Sequence, residues 1–219
     1  MKIGVFLHIP KCGGSTVRDE IVKKYEGQRL IKIYHDNPSR DYYSVSSFLK
    51  TFERGLPQHT KAIVGHITYK EILPLIADHD CHVFSLVRDP LERIISDLNF
   101  LRVSKNHPGH SGAMSISPRF LYNYLKSVEK NFQYNYLGGH DYIQNVKVYK
   151  LENYKLALID AGIIESLNDN VVKQNVTVKR KSESETDTEL LSLSMLNEDE
   201  LSHLRTLFAV DYDLYNTAE

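Results

Sequence analysis

The chain is expected to fold as an α/β protein, a mainly parallel central sheet flanked by helices in three layers, because short strand-forming runs alternate with segments of helical period. Three observations carry that expectation. The apolar run Ile3-Gly-Val-Phe-Leu7 leads through a glycine-bearing turn into an amphipathic stretch. The most apolar run, Cys81-His-Val-Phe-Ser-Leu-Val87, stops abruptly at Arg88-Asp-Pro90. The 219 residues are 42% hydrophobic and 25% charged, which supplies one core and predicts a single domain over residues 1–219.

Taken in order, residues 3–7 read as a first buried strand. From Ser15 to Tyr25 the apolar positions Val17, Ile21, Val22 and Tyr25 recur at helical spacing, with charges on the other face. Leu30 to Tyr34 is strand-like, a helix is expected over Val45 to Phe52, a strand over Lys61 to Gly65 and a helix over Tyr69 to Ile76. Cys81 to Val87 reads as a central strand buried on both faces. Beyond it Asp89 is suited to cap a helix, Pro90 to its first position, and Glu92 to complete a capping box. Leu91, Ile94, Ile95, Leu98 and Leu101 form that helix's apolar stripe. Residues Ser104 to Ser117 read as a surface loop, Pro118 to Asn131 as a helix, Lys147 to Leu151 as the last strand, and Tyr154 to Ala161 as a helical return. Val172 to Thr188 is polar, and Glu198 to Phe208 reads as a C-terminal amphipathic helix.

The composition excludes several classes. A formal net charge of -1 gives no general attraction to nucleic acid or anionic membranes, so anion recognition must be local. No apolar run is long enough to span a bilayer, and the N-terminus lacks a signal-peptide pattern. With only Cys12 and Cys81, a disulfide framework is excluded, and a reducing, cytoplasmic setting fits. The ten histidines show no metal-ligand spacing, so no metal is expected. The oligomeric state is not encoded legibly.

In such a sheet, ligands bind beyond the carboxyl ends of the strands, which directs attention to His8-Ile-Pro-Lys-Cys-Gly-Gly-Ser-Thr16. Gly13 and Gly14 permit close backbone approach at the start of a helix whose unpaired N–H groups favour an anion. Lys11 adds a charge, and Ser15 and Thr16 add hydroxyl donors. The nucleoside-triphosphate loop places its lysine after the glycines; here Lys11 precedes them, which argues against a kinase or an NTPase. The structural alternative is a glycine turn with Ser15 as helix cap. Arg88, at the end of the strand 81–87, and Ser96, two helical turns on, could together clamp a second phosphate. Alternatively, Arg88 merely pairs with Asp89 or Glu92.

The segments His8–Thr16 and Ser85–Phe100, with Gly65-His66 between them, resemble the sulfotransferases that use 3′-phosphoadenosine-5′-phosphosulfate (PAPS), closest in motif to the heparan-sulfate 2-O-sulfotransferase-like carbohydrate branch. A weaker likeness extends to Asn106–Pro108, Lys150–Glu152, Asn175–Lys181 and Phe208–Tyr215. The resemblance implies a P-loop-like fold with PAPS as co-substrate. It implies that Lys11, Cys12, Gly13, Gly14, Ser15 and Thr16 hold the 5′-phosphosulfate, with Lys11 against the leaving oxygen. By the same likeness Arg88 and Ser96 bind the 3′-phosphate, and Lys179 and Arg180 form a basic loop over the nucleotide. Cys12 stands where many relatives carry Thr, and with no counterpart of the Golgi enzymes' N-terminal membrane anchor in the sequence a soluble form is expected.

Sulfuryl transfer to a hydroxyl needs an in-line nucleophile, charge stabilisation at the leaving group and a base. His66 matches the family's Gly-His and is the expected base, with Lys11 as its cationic partner in catalysis. His8 is expected to pack locally, and His35, His107, His110 and His140 to lie in loops. The acceptor is weakly encoded: Arg102, Lys105, His107, His110 and Arg119 bracket a loop that could line its site, and the likeness favours a glycan hydroxyl, with tyrosine, lipid and small-metabolite hydroxyls left open. Two other readings compete. Cys12 and Arg18 satisfy C-x5-R, the cradle of cysteine-dependent phosphatases. The chain could also be a catalytically inactive nucleotide-binding module.

Overall fold

The computed structural model describes residues 2–25, 30–34, 42–172 and 189–219. They fall into two compact units: the first comprises the described residues of 1–87, 133–173 and 218–219, the second those of 88–132 and 174–217.

The first unit is built on a six-stranded sheet in the order β3-β2-β4-β1-β5-β6, with every pairing parallel. The strands are β1 (Ile3–Leu7), β2 (Leu30–Ile33), β3 (Tyr42–Tyr43), β4 (Ala62–Gly65), β5 (Cys81–Val87) and β6 (Lys147–Lys150). Helices α1 (Gly14–Lys24), α2 (Val45–Thr51), α3 (Tyr69–Ile76) and α8 (Tyr154–Asp160) connect and flank them. Parallel strands require such crossovers, and the three-layer α/β architecture expected from the alternation is present. Val17 and Ile21 of α1 are buried, and Phe6, Ile63 and Phe84 are almost inaccessible within the sheet.

Strand order corrects one expectation. The central pair is β4 and β1, and β5 is the last interior strand before the β6 edge. Its five C-terminal residues are nonetheless buried, which explains its apolar run. From β1 the chain passes outward to β2 and β3, returns to insert β4 between β2 and β1, and then crosses to β1's other side for β5 and β6. That reversal makes the region beyond the carboxyl end of β1 a topological switch point, and the glycine turn follows β1 there. Tyr42 and Tyr43, within a stretch read only as Tyr/Ser-rich, form the two-residue edge strand β3.

The second unit is helical: α4 (Pro90–Val103), α5 (His110–Ser115), α6 (Leu121–Ser127), α9 (Glu198–Leu207) and α10 (Ala209–Thr217), with α7 (Phe132–Tyr136) straddling the boundary with the first unit. Leu91, Ile94, Ile95 and Leu98 of α4 pack with Leu121, Leu125, Leu204 and Phe208. The Asp89 carboxylate accepts the Glu92 N–H at 3.0 Å and Pro90 begins the helix, as the sequence indicates. Glu92 does not complete a capping box, since its carboxylate pairs with Arg88.

Residues 104–117 are not a plain loop. They contain α5, whose Ala113 is buried against α4. The helix expected over 118–131 is a 3-10 turn (Pro118–Phe120) followed by α6, which ends at Ser127. A further helix, α10, follows α9, and its Tyr212 hydroxyl donates to Asp89 at 3.3 Å.

Candidate active site

Three neighbouring strands end on one line. Leu7 of β1 and Ile33 of β2 are both in register with Gly65 of β4. The residues that follow, His8, Tyr34 and His66, continue the backbone ladder by one step. His8 N–H donates to Gly65 O at 2.9 Å, His66 N–H to Ile33 O at 2.7 Å and Tyr34 N–H to Tyr43 O at 2.8 Å. Parallel register therefore brings two imidazoles and a phenol together from positions far apart in sequence. Gly65 is required for this closeness, because a Cβ there would lie 1.9 Å from Ile33 O.

His66 is half-buried and held from both sides of the chain. Gly65 ends its strand, Ile67 is buried, and Thr68 opens α3 with a reciprocal capping box to Glu71. Its ring stands edge-on to His8 at 4.5 Å between centroids and to Tyr34 at 4.7 Å.

The turn after β1 carries the strained backbone that the glycine run suggested. Lys11 and Gly13 adopt positive φ, at 70° and 72°. Gly13 is the N-cap of α1, without a side-chain cap and with no acidic residue in the first turn, so Ser15 is not the cap. Among the described residues, the N–H groups of Gly13, Gly14 and Ser15 have no backbone acceptor. They open an eleven-residue helix beyond the carboxyl end of β1, with the donor set an anionic group requires. A Cβ at Gly13 would strike Leu151 at 2.1 Å, and one at Gly14 would strike the His8 ring at 2.1 Å. Glycine at both positions thus lets the helix start close upon β1. Thr16 is buried in the first turn, its N–H bonded to Gly13 O at 3.2 Å.

His8 is buried, as local packing implied, and hydrogen-bonded through Nδ1 to the Tyr34 hydroxyl at 2.9 Å. The Tyr136 hydroxyl donates to its carbonyl at 3.2 Å. Burial, then the nearby charges of His66, Arg18 and Lys11, push its pKa well below the usual histidine value. His8 is neutral at pH 7. Burial likewise pushes the Tyr34 and Tyr136 phenols upward, so both remain protonated.

Cys12 is nearly inaccessible, and its thiol donates to the Oε1 of buried Gln133 at 3.2 Å. Its backbone N–H donates to Ile9 O at 3.3 Å. Arg18 points away from it in function: Nε and Nη2 pair with Asp19 at 2.8 and 2.7 Å, and its guanidinium lies 5.7 Å from the Tyr34 ring centre.

In the second unit Arg88, which follows β5 directly, pairs with Glu92 at 3.3 Å, and Ser96 sits on α4, partly exposed. Lys179 and Arg180 lie outside the described residues, as does His35. Arg102 does not line an acceptor loop. It is buried and gives hydrogen bonds to the carbonyls of Glu189, Ala113 and Ile116 at 3.1, 3.0 and 2.9 Å. His110 Nδ1 contacts Leu101 O and His107 Nδ1 accepts the Gly109 N–H, so both histidines also serve local structure. His140 lies in a 3-10 turn.

Sequence reasoning did not single out Tyr34 or Gln133. Tyr34 follows β2 as His66 follows β4 and His8 follows β1, a signal legible only once the strands are in register. Elsewhere in the first unit, a 360 Å³ cleft lined by Pro57, His59, Lys61, His79 and Asp80 lies at the amino ends of the strands and includes none of the expected site residues. Among the described residues no cluster of three metal-ligating side chains occurs, and no helix is long and apolar enough to cross a membrane.

No family model matches this chain, and no curated protein does. Among solved structures, the chain is similar to a mouse sulfotransferase, SULT7A1, complexed with PAP. The match has a TM-score of 0.55 and 16% sequence identity, and it covers 99% of this chain and 89% of that one. At that identity the likeness establishes the shared fold.

Proposed function

We propose that this chain is a PAPS-dependent sulfotransferase that moves the sulfuryl group to an acceptor hydroxyl. One observation carries the reading: the glycine loop and His66 converge on the same ring, Gly14 packing against His8 on one side and His66 standing 4.5 Å away on another. A helix start whose first N–H groups have no backbone acceptor and a partly buried imidazole are thus a ring's breadth apart at the carboxyl end of β1, in a fold shared with a protein solved with PAP.

In this reading the N–H groups of Gly13, Gly14 and Ser15 hold the 5′-phosphosulfate, with the Thr16 hydroxyl at its edge, while Cys12, whose own N–H is bonded to Ile9 O at 3.3 Å, shapes the turn. His66 removes the acceptor's hydroxyl proton as the oxygen attacks sulfur in line. The bond from sulfur to the bridging oxygen breaks, and Lys11 stabilises charge on that oxygen as the nucleotide leaves as a phosphate. Arg88 and Ser96 are assigned to the 3′-phosphate on motif likeness, and Lys179 and Arg180 to the nucleotide on the same ground. That likeness also favours a carbohydrate hydroxyl as acceptor. Two free cysteines support a reducing, cytoplasmic setting.

The phosphatase reading is disfavoured by the structure, because the Cys12 thiol is a buried donor and Arg18 is engaged by Asp19. The experiment is transfer of radiolabelled sulfate from PAPS to a panel of sugar, phenol and steroid-like hydroxyls, with His66→Ala and Lys11→Ala alongside. His66→Ala is expected to lose about 10²–10⁴-fold in kcat while retaining nucleotide binding. Nucleotide binding with no transfer to any acceptor would instead identify an inactive binding module. Unchanged turnover in His66→Ala would remove His66 as base.

A further inference from the structure

We propose that Tyr34 and His8 form a hydrogen-bonded positioning pair that fixes the orientation of the His66 ring toward the acceptor. The inference rests on reading His66 as the base. Its ground is the arrangement at the ends of β2, β4 and β1, where each of the three residues is the first beyond the register line Ile33–Gly65–Leu7.

His66 leans on two rings that are themselves immobilised. His8 is held at Nδ1 by the Tyr34 hydroxyl, stacked on Phe6 at 5.7 Å, and confined by Gly14. Tyr34 is held by that bond, by its own N–H to Tyr43 O, by the Tyr42 ring at 5.5 Å and by the Arg18 guanidinium at 5.7 Å. The two contacts to His66 are both edge to face, with interplanar angles of 63° and 70°. Two such contacts from different strands leave the imidazole little freedom to rotate about its side-chain bonds.

The electrostatics agree with a positioning role. The charged or titratable groups facing His8 are His66 from the end of β4, Arg18 from α1, Lys11 from the glycine turn, Tyr34 from the end of β2, and Tyr136 from α7, whose hydroxyl donates to the His8 carbonyl. Burial among them keeps His8 uncharged. A second imidazolium 4.5 Å away would oppose the charge His66 acquires when it takes the acceptor's proton; a neutral ring supports its orientation without that opposition.

Tyr34→Phe removes the hydroxyl and keeps the ring, and it is compared with His66→Ala and with the double variant. Two readouts are needed: sulfuryl-transfer kinetics, and the ¹H–¹⁵N imidazole signals of His66, identified by their loss in His66→Ala. Tyr34→Phe is expected to lose about ten- to a hundredfold in kcat with the KM for PAPS unchanged. The His66 signals are expected to shift and broaden. The double variant should be no slower than His66→Ala alone, because the pair acts only through His66. Unaltered His66 signals, or a double variant slower than His66→Ala, would overturn the proposal. Should Tyr34→Phe fail to fold, His8→Asn, which keeps a nitrogen near the Nδ1 position, takes its place under the same criteria. If the wild-type protein transfers no sulfuryl group, the function reading falls separately, and the imidazole spectra still decide the pairing.

Discussion

His8 and His66 stand edge to face at 4.5 Å, one at the end of β1 and the other at the end of β4, although 58 positions separate them in sequence. Their environments divide them: His8 is buried and bonded to Tyr34, whereas His66 is partly buried.

Burial of neutral His8 links stability to pH. Its folded pKa lies well below that of the unfolded chain, so the unfolded state binds the extra proton. The contribution is whole above about pH 6.5 and is lost as pH falls from there toward the depressed folded value, at up to about 1.4 kcal/mol per pH unit. His82, depressed mainly by burial, adds in the same direction. Urea unfolding between pH 5 and 7 should show this slope, and His8→Asn should flatten it; an equal slope in the variant would refute the assignment.

Glycine substitutions should separate close approach from simple flexibility. Gly65→Ala places a methyl 1.9 Å from the Ile33 carbonyl oxygen, a backbone atom that cannot yield without parting β2 from β4. It should cost about 1–3 kcal/mol or more. Gly112→Ala on α5 meets nothing within 4 Å and should stabilise by about 0.5–1 kcal/mol. Denaturation midpoints moving in the same direction for the two would contradict this account.

Arg102 anchors the residues on either side of it rather than serving a ligand. Arg102→Met keeps much of the stem's packing and deprives three carbonyl groups of their donor, a loss of about 1–3 kcal/mol. Thermal unfolding should report that loss, with nucleotide affinity per folded molecule unchanged.

Neither thiol should behave as a nucleophile. Cys12 is buried as a donor to Gln133, and burial with neighbouring Asp80 pushes the Cys81 pKa up to about 11. At pH 8 about one Cys81 in a thousand is a thiolate. Alkylation of the native protein by iodoacetamide should be slow at both sites, and Cys12→Ser should keep sulfuryl transfer. Rapid, stoichiometric loss of one thiol with loss of activity would revive the cysteine-dependent alternative.

How far the chain was legible follows from the range of each signal. The strand runs 3–7 and 81–87, the helix 69–76 and the Asp89-Pro90 helix start were readable because pattern and capping act within a few residues. Helix α5 was hidden by Gly109, Gly112 and Pro108, whose loop-like character is overridden by packing of Ala113 on α4. Helix α10 escaped because nothing local marks it, and its Tyr212 finds Asp89 across 123 positions.

For the site, the sequence alone nominated the glycine turn and His66, since a turn of that kind is specified by adjacent residues. It also determined the alternation that requires parallel crossovers, and with it the layered α/β class. Only the tertiary structure decided which strands are neighbours. That choice placed Tyr34 and His8 against His66, while helix packing turned Cys12 toward Gln133 and buried Arg102 among carbonyls. The physical reason is that register and burial are long-range outcomes: a side chain's partner, and so its charge state and its chemistry, is fixed by what packs against it from distant parts of the chain.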